Sequence, residues 1–398
     1  MTIQLSNRIN QLAESETLAM SRLSRELKAK GHDVINLSVG EPDFFTPDNI
    51  KEAAKKAIDD NYSFYPPVNG YLELRQAICK KLKRDNNLDY SPDQIVVSTG
   101  AKHCIMNSIL CLVNPGDEVI IPTPYWVSYT HMVKFAGGKP VFIEAGIEND
   151  FKITPRQLKE SITEKTRLFM FSSPCNPSGS VYSREELKAL ARVFEDNPHV
   201  FILSDEIYEL INFDKNHQSI AQFENIKDRV ILINGVSKGF AMTGWRLGYL
   251  AAAAPIASAT NKLQGQFTSA ASSIAQKAAQ EAMDTLPEQT WHMLDKFKER
   301  RDLMLDLLKD IPGFVTNVPN GAFYLFPDVS SYLGKRDGRA TINTVNDLCM
   351  YILNKVHVAL VPGDAFGSPG CIRISYATSN ELLIEAVKRI KQALQELR

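Results

Sequence analysis

Lys238 stands between a hydroxyl and a glycine in the segment NGVSKGFAMTGWRLGY, which covers residues 234–249. A lysine normally keeps its ammonium group in water at the end of a flexible stem. Here Phe240, Ala241 and Met242 follow at once, so we expect the side chain to turn inward. Arg246 lies eight residues further on, and the segment is therefore a candidate for chemistry rather than a solvated surface.

Two glycine- or proline-rich turns follow predicted strands. In VSTGAKH (residues 97–103) a strand runs through small residues directly into a helix, whose first N–H groups can approach an anion. The segment lacks the GxGxxG and GKT/GKS patterns, and a plain strand–helix turn is the alternative. In SSPCNPSG (residues 172–179) two prolines fix a loop from which Asn176 can present its amide, although the segment is also an ordinary turn signal.

Three further segments place a charged or aromatic side chain in an apolar setting. SDEIY (residues 204–208) ends an apolar strand, and a carboxylate there needs a cationic or N–H partner unless it caps a helix. Asp205 and Glu206 alternate in direction, so only one of them faces a ligand crevice. Trp126 in PYWVSY either presents an aromatic plane from a proline-bounded loop or packs in the core. Arg373 in CIRISYAT requires an anion, either a ligand carboxylate or a structural ion pair.

The elements that carry these residues alternate between strand and helix from about residue 92 to 252. Seven runs are predicted as buried strands: QIVVSTG, DEVIIPTP, KPVFIEA, RLFMFSSP, VFILSDE, RVILING and RLGYLAA. Helical patterns lie between several of them, and SREE (residues 183–186) resembles a capping box. This alternation predicts a mostly parallel sheet covered on both faces, with ligands at the carboxyl ends of its strands.

The remaining chain predicts a second, α+β unit. After about residue 255 long helices are followed by the strand-like GAFYLFPD, HVALVPG and CIRISYA and by a terminal helix. The amphipathic segment ETLAMSRLSRELKAKG lies before the alternating region. We therefore expect the first 45 residues to join the C-terminal unit.

Composition excludes several classes of function. The chain has 398 residues, 44% of them hydrophobic, and 45 basic against 46 acidic residues, which argues against a nucleic-acid binder. Six cysteines without a CxxC pair predict a reducing, cytoplasmic setting rather than a disulfide framework. The N-terminal residues lack the apolar core of a signal peptide, and no apolar run is long enough to span a membrane. Seven histidines without HxH or HxxxH spacing predict no metal site.

Eight segments, in order and spacing, resemble the class I pyridoxal-phosphate aminotransferases: SVGEPDF, YPPVNGYLELR, STGAK, PYWVSY, SPCNPSG, SDEIY, NGVSKGFAMTGWRLGY and RISYAT. The resemblance runs from about residue 15 to the C terminus and is greatest to the bacterial aspartate and aspartate/prephenate aminotransferases. It implies an α/β fold, fold type I of the enzymes that use pyridoxal 5'-phosphate. The implied large domain, residues 46–290, holds a mostly parallel seven-stranded sheet and the cofactor. Residues 1–45 and 291–398 form the implied smaller α+β domain.

The resemblance also implies cofactor contacts. Lys238 matches the lysine that forms a Schiff base, and its amine must be neutral to attack an aldehyde. Asp205 matches the partner of the pyridine nitrogen, Trp126 the aromatic residue stacked on the ring, and Asn176 and Tyr208 the partners of the phenolic oxygen. Lys238, Asp205, Tyr208 and Trp126 are thus the predicted catalytic residues. The implied phosphate-binding residues are Gly100, Ala101, Lys102, Ser237, Arg246 and, from the neighbouring subunit of a homodimer, Tyr65.

The substrate is the least specified part. Arg373 matches the clamp for the α-carboxylate, and Lys102 matches a lysine that can bind a second carboxylate. A first-turn helix lysine is the alternative for Lys102, although its charge opposes the helix dipole there. The implied substrate-binding residues are Gly40, Trp126, Asn176, Arg373, Lys102, Ser15 and Thr17, the last two on an N-terminal segment that can close over the site.

The activity implied by the resemblance is transfer of the amino group from L-aspartate to 2-oxoglutarate, giving oxaloacetate and L-glutamate. The two substrates share one site, so ping-pong kinetics are expected. An aminotransferase with aromatic or prephenate preference, and a β-lyase that acts on a sulfur amino acid with the same cofactor, are the alternatives. A non-catalytic regulator built on this fold is a third hypothesis, which the near-neutral charge disfavours.

Overall fold

A computed structural model describes residues 3–10, 12, 16–338 and 340–398 of the chain. Within them the strands are β1 (Ile35–Asn36), β2 (Ile95–Ser98), β3 (Glu118–Thr123), β4 (Lys139–Glu144), β5 (Thr166–Ser172), β6 (Phe201–Asp205), β7 (Val230–Gly235), β8 (Gly248–Ala251), β9 (Tyr324–Leu325), β10 (Arg336–Asp337), β11 (Ala340–Thr341), β12 (Val358–Ala359), β13 (Val361–Pro362) and β14 (Ile372–Ser375). The helices are α1 (Asn7–Asn10), α2 (Glu16–Ala29), α3 (Asp48–Asp59), α4 (Leu72–Asn86), α5 (Ala101–Leu112), α6 (Ser128–Phe135), α7 (Pro155–Ser161), α8 (Arg184–Glu195), α9 (Glu224–Lys227), α10 (Ala254–Phe267), α11 (Ser273–Asp284), α12 (Trp291–Leu308), α13 (Val345–Val356) and α14 (Asn380–Leu394).

The central sheet has seven strands in the order β2-β8-β7-β6-β5-β3-β4. β8 runs antiparallel to its neighbours β2 and β7, and all other pairs are parallel. Strands β2 to β7 consequently share one direction, and their carboxyl ends meet at one edge of the sheet. These are the seven strands predicted from the sequence, so the α/β fold with a mostly parallel seven-stranded sheet is confirmed.

The continuous apolar runs of six of the strands reflect a sheet that is buried on both faces. The prediction of a buried strand is wrong for β4, which lies at the edge of the sheet and buries only Ile143. Along β5, Leu168 and Met170 pack into one core, whereas Phe169 and Phe171 pack into another on the opposite face. All four side chains are nearly inaccessible to solvent. Helices cover both faces, which leaves the strand ends as the places where polar side chains can meet a ligand.

Local signals in the sequence position the covering helices. Ser183 accepts a hydrogen bond from the N–H of Glu186, and the Glu186 carboxylate accepts from the N–H of Ser183, which confirms the predicted capping box. The helix that follows, α8, buries an apolar stripe formed by Leu187, Leu190, Ala191 and Phe194. Such a stripe fixes which face of the helix meets the sheet.

The second unit combines the N-terminal residues with the C-terminal part of the chain. β1 pairs in parallel with β12, and the three-stranded sheet has the order β13-β14-β9. Met20 of α2 and Val34 share a core with Leu348 of α13 and Ile374 of β14. β1 and α2 therefore pack against C-terminal elements, while the division into residues 46–290 and residues 1–45 with 291–398 stays a prediction.

None of the helices formed by the described residues has the length and apolar character that crossing a membrane requires. The six cysteines are all free thiols, four of them buried.

Candidate active site

A cavity of about 300 Å³ opens at the carboxyl ends of the parallel strands, between the central sheet and the second unit. Its wall brings together most of the side chains predicted from the sequence: Thr17, Gly40, Ala101, Lys102, Trp126, Asn176, Asp205, Tyr208, Ser237, Lys238, Arg246 and Arg373. Gly100 lies beside the Arg246 guanidinium at the margin. Tyr65 is 97% exposed and lies outside the wall. Ser15 falls outside the described residues.

Lys238 follows β7 and extends its amine into the cavity. Nζ donates a hydrogen bond to the carbonyl oxygen of Gly40 at 2.5 Å. Burial, and next the positive charge of Arg373, lower the pKa of this amine to about 8. An amine with this pKa is unprotonated in a substantial fraction of molecules near neutral pH, as a nucleophile must be.

Asp205 lies at the end of β6, where its carboxylate is buried at the floor of the cavity. Oδ2 accepts a hydrogen bond from the Tyr129 hydroxyl at 2.8 Å, and Oδ1 accepts one from the N–H of Ile207 at 3.3 Å. Burial raises the pKa of Asp205 to about 6 in spite of these donors. A cationic ligand group bound beside this carboxyl would lower its pKa and favour its ionised form.

The turn before α5 and the segment before β8 form a cradle for an anion. Gly100 has a φ of +87°, and a Cβ atom there would overlap the Arg246 guanidinium. A Cβ atom on Gly248 would overlap the backbone nitrogen of Ala101. The N–H of His103 donates to the carbonyl oxygen of Gly100, so the N–H groups of the first two residues of α5 are the ones available beside the guanidinium.

Lys102 occupies the first turn of α5 on the cavity wall. Its ammonium lies 4.9 Å from the centroid of the Trp126 ring. Burial, and next the charge of Arg246, lower its pKa. Two cations held close together at one side of the cavity favour an anionic ligand there.

Arg373 is 2% exposed and comes from the second unit, on β14. Nη1 donates to Oδ1 of Asn176 at 3.0 Å, and Nη2 donates to the carbonyl oxygen of Ser38 at 2.6 Å. Nε is buried without a protein partner, and no carboxylate neutralises the group among its described contacts. A buried guanidinium of this kind is costly unless a ligand supplies the anion.

Sequence reasoning missed two tyrosines at this site. Tyr324, on β9, lines the cavity and places its hydroxyl 2.7 Å from that of Tyr208. Tyr129 supports Asp205 from α6. Tyr129 could have been noticed as the last residue of PYWVSY, whereas Tyr324 lies in an apolar strand-like run, and only the tertiary fold shows what its hydroxyl meets.

A separate polar cluster lies near Asp205 but outside the cavity. Ligand-type atoms of Glu206, Glu209 and His217 lie within 4.8 Å of one another. The ammonium of Lys81 is paired with Glu209, and Glu206 accepts hydrogen bonds from His217 and two serines. A side-chain cation thus already pairs with one carboxylate of this cluster, and the absence of a metal site stays a prediction.

The donor set of the cavity fits pyridoxal 5'-phosphate. It offers an amine with a lowered pKa for an aldehyde, a buried carboxylate for a protonated ring nitrogen, an indole plane and an anion cradle. Glycine at position 100 permits the close approach of the Arg246 guanidinium, and glycine at position 248 permits that of the Ala101 backbone, which a Cβ atom at either position would prevent. The unpartnered Nε of Arg373 leaves a second, separate place for a carboxylate.

Comparison with known proteins agrees with this geometry. A family model described as aminotransferase class I and II matches residues 32–390. The bifunctional aspartate aminotransferase and glutamate/aspartate-prephenate aminotransferase of Petunia hybrida is 48% identical over 98% of this chain and 83% of its own. The crystal structure of the aspartate aminotransferase from Rhizobium meliloti superposes with a TM-score of 0.96 at 41% identity, covering both chains completely. That of Thermus thermophilus aspartate aminotransferase with maleate has a TM-score of 0.92 at 35% identity, covering 98% of this chain and 100% of the other.

Proposed function

The chain belongs to the class I and II aminotransferases, and we propose that it is a pyridoxal-phosphate-dependent aspartate aminotransferase. The reaction is the reversible transfer of the amino group from L-aspartate to 2-oxoglutarate, which yields oxaloacetate and L-glutamate. The relatives described above carry this activity in their names. Both substrates use one site in turn, so the kinetics are ping-pong.

One observation carries the proposal: Lys238, with a pKa lowered to about 8, shares a single cavity with the buried carboxylate of Asp205 and the unneutralised Arg373. The cofactor supplies an aldehyde that accepts amino groups and a ring that withdraws electrons from the carbon bearing the amino group. Lys238 would hold the aldehyde carbon. Asp205 would keep the ring nitrogen protonated, which requires the carboxylate to be ionised.

The other residues orient the reacting groups. The guanidinium of Arg373 would bind the α-carboxylate through a charge-assisted pair, with Asn176 fixing its plane. Once released, Nζ of Lys238 can take the proton from the α-carbon and return it, since a neutral amine near its pKa serves as a general base. Trp126 would cover one face of the ring and exclude water from it.

The dicarboxylic substrate is supported by Lys102. Its ammonium lies on the wall of the same cavity as Arg373 and has no carboxylate partner among the described residues. The side-chain carboxylate of aspartate or glutamate would form an ion pair with this ammonium. Thr17, whose Oγ1 is buried without a partner, would assist with a hydrogen bond. Apolar neighbours at Leu18, Ile105 and Val127 would suit the carbon ring of an acceptor such as prephenate.

A homodimer completes the proposal. Phe64 and Tyr65 are 82% and 97% exposed, and Phe267, at the end of α10, is 67% exposed. Gln264 of α10 donates a hydrogen bond to the carbonyl oxygen of Val68 at 2.7 Å, so the segment that carries Phe64 and Tyr65 lies against this helix. Large apolar side chains grouped in this way are typical of an interface. We place the dimer in the cytoplasm, where free thiols persist.

A panel of donors and acceptors tests the reaction. Purified protein loaded with the cofactor is mixed with L-aspartate, L-glutamate, L-alanine, L-phenylalanine or cystathionine, with 2-oxoglutarate, oxaloacetate or prephenate as acceptor. We expect the fastest transfer between aspartate and 2-oxoglutarate, and none with Lys238→Ala. Release of pyruvate from cystathionine as the dominant reaction would instead identify a β-lyase, and a cofactor band without turnover of any donor would identify a non-catalytic protein.

The variant Lys102→Ala tests side-chain recognition. We expect kcat/KM for aspartate to fall roughly ten- to hundredfold, the range of a charge-assisted hydrogen bond, and that for phenylalanine to change less than about threefold. Steady-state kinetics with both donors measure the difference. An equal loss for both would remove Lys102 from recognition of the second carboxylate.

A further inference from the structure

Tyr208 and Tyr324 form a hydroxyl pair that connects the two units of the fold at the cavity. Tyr208 lies just after β6 of the central sheet, and Tyr324 lies on β9 of the small sheet. Their oxygens are 2.7 Å apart, and both side chains are almost fully buried. A buried hydroxyl pair holds its geometry well, because breaking it would leave two polar groups unsatisfied.

The ring of Tyr324 also supports the clamp residue. The Arg373 guanidinium carbon lies 4.7 Å from the centroid of this ring and 4.9 Å from that of Phe366. Tyr324 is paired across the strands with Ser375, two residues beyond Arg373, so both side chains stand on the same face of the small sheet. Gly40 has no room for a side chain, since a Cβ atom there would overlap the Tyr324 hydroxyl.

The direction of the hydrogen bond within the pair follows from its surroundings. Burial raises the pKa of both hydroxyls, so both carry their protons near neutral pH. The charged groups around the pair are Arg373, Lys238 and Asp205. If the Tyr208 proton points into the cavity toward a ligand oxygen, the Tyr208 oxygen must accept, and Tyr324 is then the donor.

We propose that Tyr324 is a positioning residue of this site, which directs the Tyr208 hydroxyl at the phenolic oxygen of the cofactor and holds the Arg373 guanidinium plane for the carboxylate. The inference rests on the proposed function, because it needs the cofactor and a carboxylate substrate in this cavity. Hydrogen bonds in a chain strengthen one another, so the Tyr324 hydroxyl makes Tyr208 a stronger donor. The Tyr324 side chain thereby contributes to binding of both the cofactor and the substrate carboxylate.

A pH titration of the visible absorption of the holoenzyme tests the hydroxyl. In Tyr324→Phe the ring remains and the hydroxyl donor is lost, so Tyr208 becomes a weaker donor to the phenolic oxygen of the cofactor. The less stabilised phenolic oxygen then holds the neighbouring proton on the Lys238 nitrogen more firmly. We expect the midpoint of the colour change to move upward by about half a pH unit or more. Tyr376→Phe is the matched control: its hydroxyl is equally buried, bonds the carbonyl oxygen of Ala322 at 3.2 Å and lies outside the cavity wall.

Binding of maleate, a dicarboxylate that cannot donate an amino group, tests the ring. We expect the Kd of Tyr324→Phe to stay within about twofold of wild type, and that of Tyr324→Leu to rise roughly tenfold with loss of the cation–π contact.

In the pH titration of the absorption, the Tyr208→Phe variant should show an upward shift of the midpoint at least as large as that of Tyr324→Phe.

The outcomes separate this inference from the proposed function. A wild-type protein without a pH-dependent cofactor band would overturn the function itself. A wild-type band with an unshifted Tyr324→Phe midpoint, or one that moves no more than Tyr376→Phe, would overturn the role of the hydroxyl alone. Unchanged maleate affinity in Tyr324→Leu would overturn the support of Arg373. If the leucine variant fails to fold, the titration of Tyr324→Phe decides the proposal.

Discussion

Nζ of Lys238 must lose its proton before it attacks an aldehyde, and its pKa of about 8 sets when it does so. The apoprotein should therefore bind the cofactor covalently at a rate that rises with pH and levels off above about pH 8. Stopped-flow absorbance after mixing apoprotein with cofactor, from pH 6 to 10, measures this rate. A rate that still rises between pH 9 and pH 10, as for an ordinary lysine, would contradict the effect of burial and of Arg373 on this amine.

Asp205 gives a second prediction at this scale, on stability. Its pKa of about 6 in the folded apoprotein lies above the ordinary 3.8, so its protonated form favours folding below pH 4 and this contribution is lost as pH rises through 6. Asp205→Asn should stabilise the apoprotein at pH 8 by up to about 3 kcal/mol, and by little at pH 4. Urea unfolding at both pH values measures the difference.

The same substitution should weaken cofactor binding, because a neutral amide cannot neutralise a protonated ring nitrogen. Tyr129→Phe is the matched variant: it leaves the carboxylate and removes the donor to Oδ2. It should raise the pKa of Asp205 further and lower the stability of the apoprotein at pH 8. A stability gain of Asp205→Asn that is equal at pH 4 and pH 8 would rule out burial of the charge as its cause.

At the scale of elements, the contact between the start of α5 and the start of β8 depends on a glycine. A methyl group on Gly248 would overlap the nitrogen of Ala101, so Gly248→Ala must push the anion cradle away from Arg246. We expect a loss of about 1–3 kcal/mol in stability from overpacking. Cofactor affinity should fall by at least about tenfold, as the loss of one good phosphate contact would cause. Equilibrium dialysis of the cofactor and thermal unfolding measure both effects.

Gly244→Ala is the control for that substitution. Gly244 lies in the same connection before β8, and a Cβ atom there would meet nothing within 4 Å. Its backbone also lacks a positive φ. We expect both the cofactor affinity and the stability of this variant to stay close to wild type. Equal losses in the two variants would mean that general loosening of the segment, rather than the cradle, is responsible.

The sequence predicted these elements better than their contacts. Six of the seven strands were predictable because strands buried on both faces carry an apolar residue at nearly every position, whereas the edge strand β4 is mostly exposed. The partner of a strand is set by tertiary packing, which no local pattern encodes. Tyr324 was therefore not predicted as a site residue, although the segment GAFYLFPD that contains it was predicted as strand-like. Arg373 was predicted to need an anion, but its contact with the carbonyl of Ser38 became evident only in the fold.

At the scale of the whole molecule, the cavity of one chain lacks one predicted contributor. Tyr65 is 97% exposed and does not belong to the described wall of the cavity in its own subunit. The sequence resemblance implied that it serves a neighbouring subunit, and one chain cannot display that contact. In a two-fold dimer each Tyr65 would complete the cavity of the other copy.

Subunit exchange between two inactive variants tests this arrangement. Lys238→Ala removes the amine of its own cavity, and Tyr65→Ala would remove the tyrosine from the cavity of its partner. In a mixed dimer, the Tyr65→Ala subunit keeps its lysine and receives Tyr65 from the Lys238→Ala subunit, so one cavity is complete. Random exchange makes half of the dimers mixed, so activity should return to about a quarter of wild type, since each mixed dimer has one complete cavity of two. Phe64→Ala mixed with Lys238→Ala controls for damage to the interface. If mixing restores no activity although size measurements show exchanged dimers, Tyr65 acts in its own subunit or not at all.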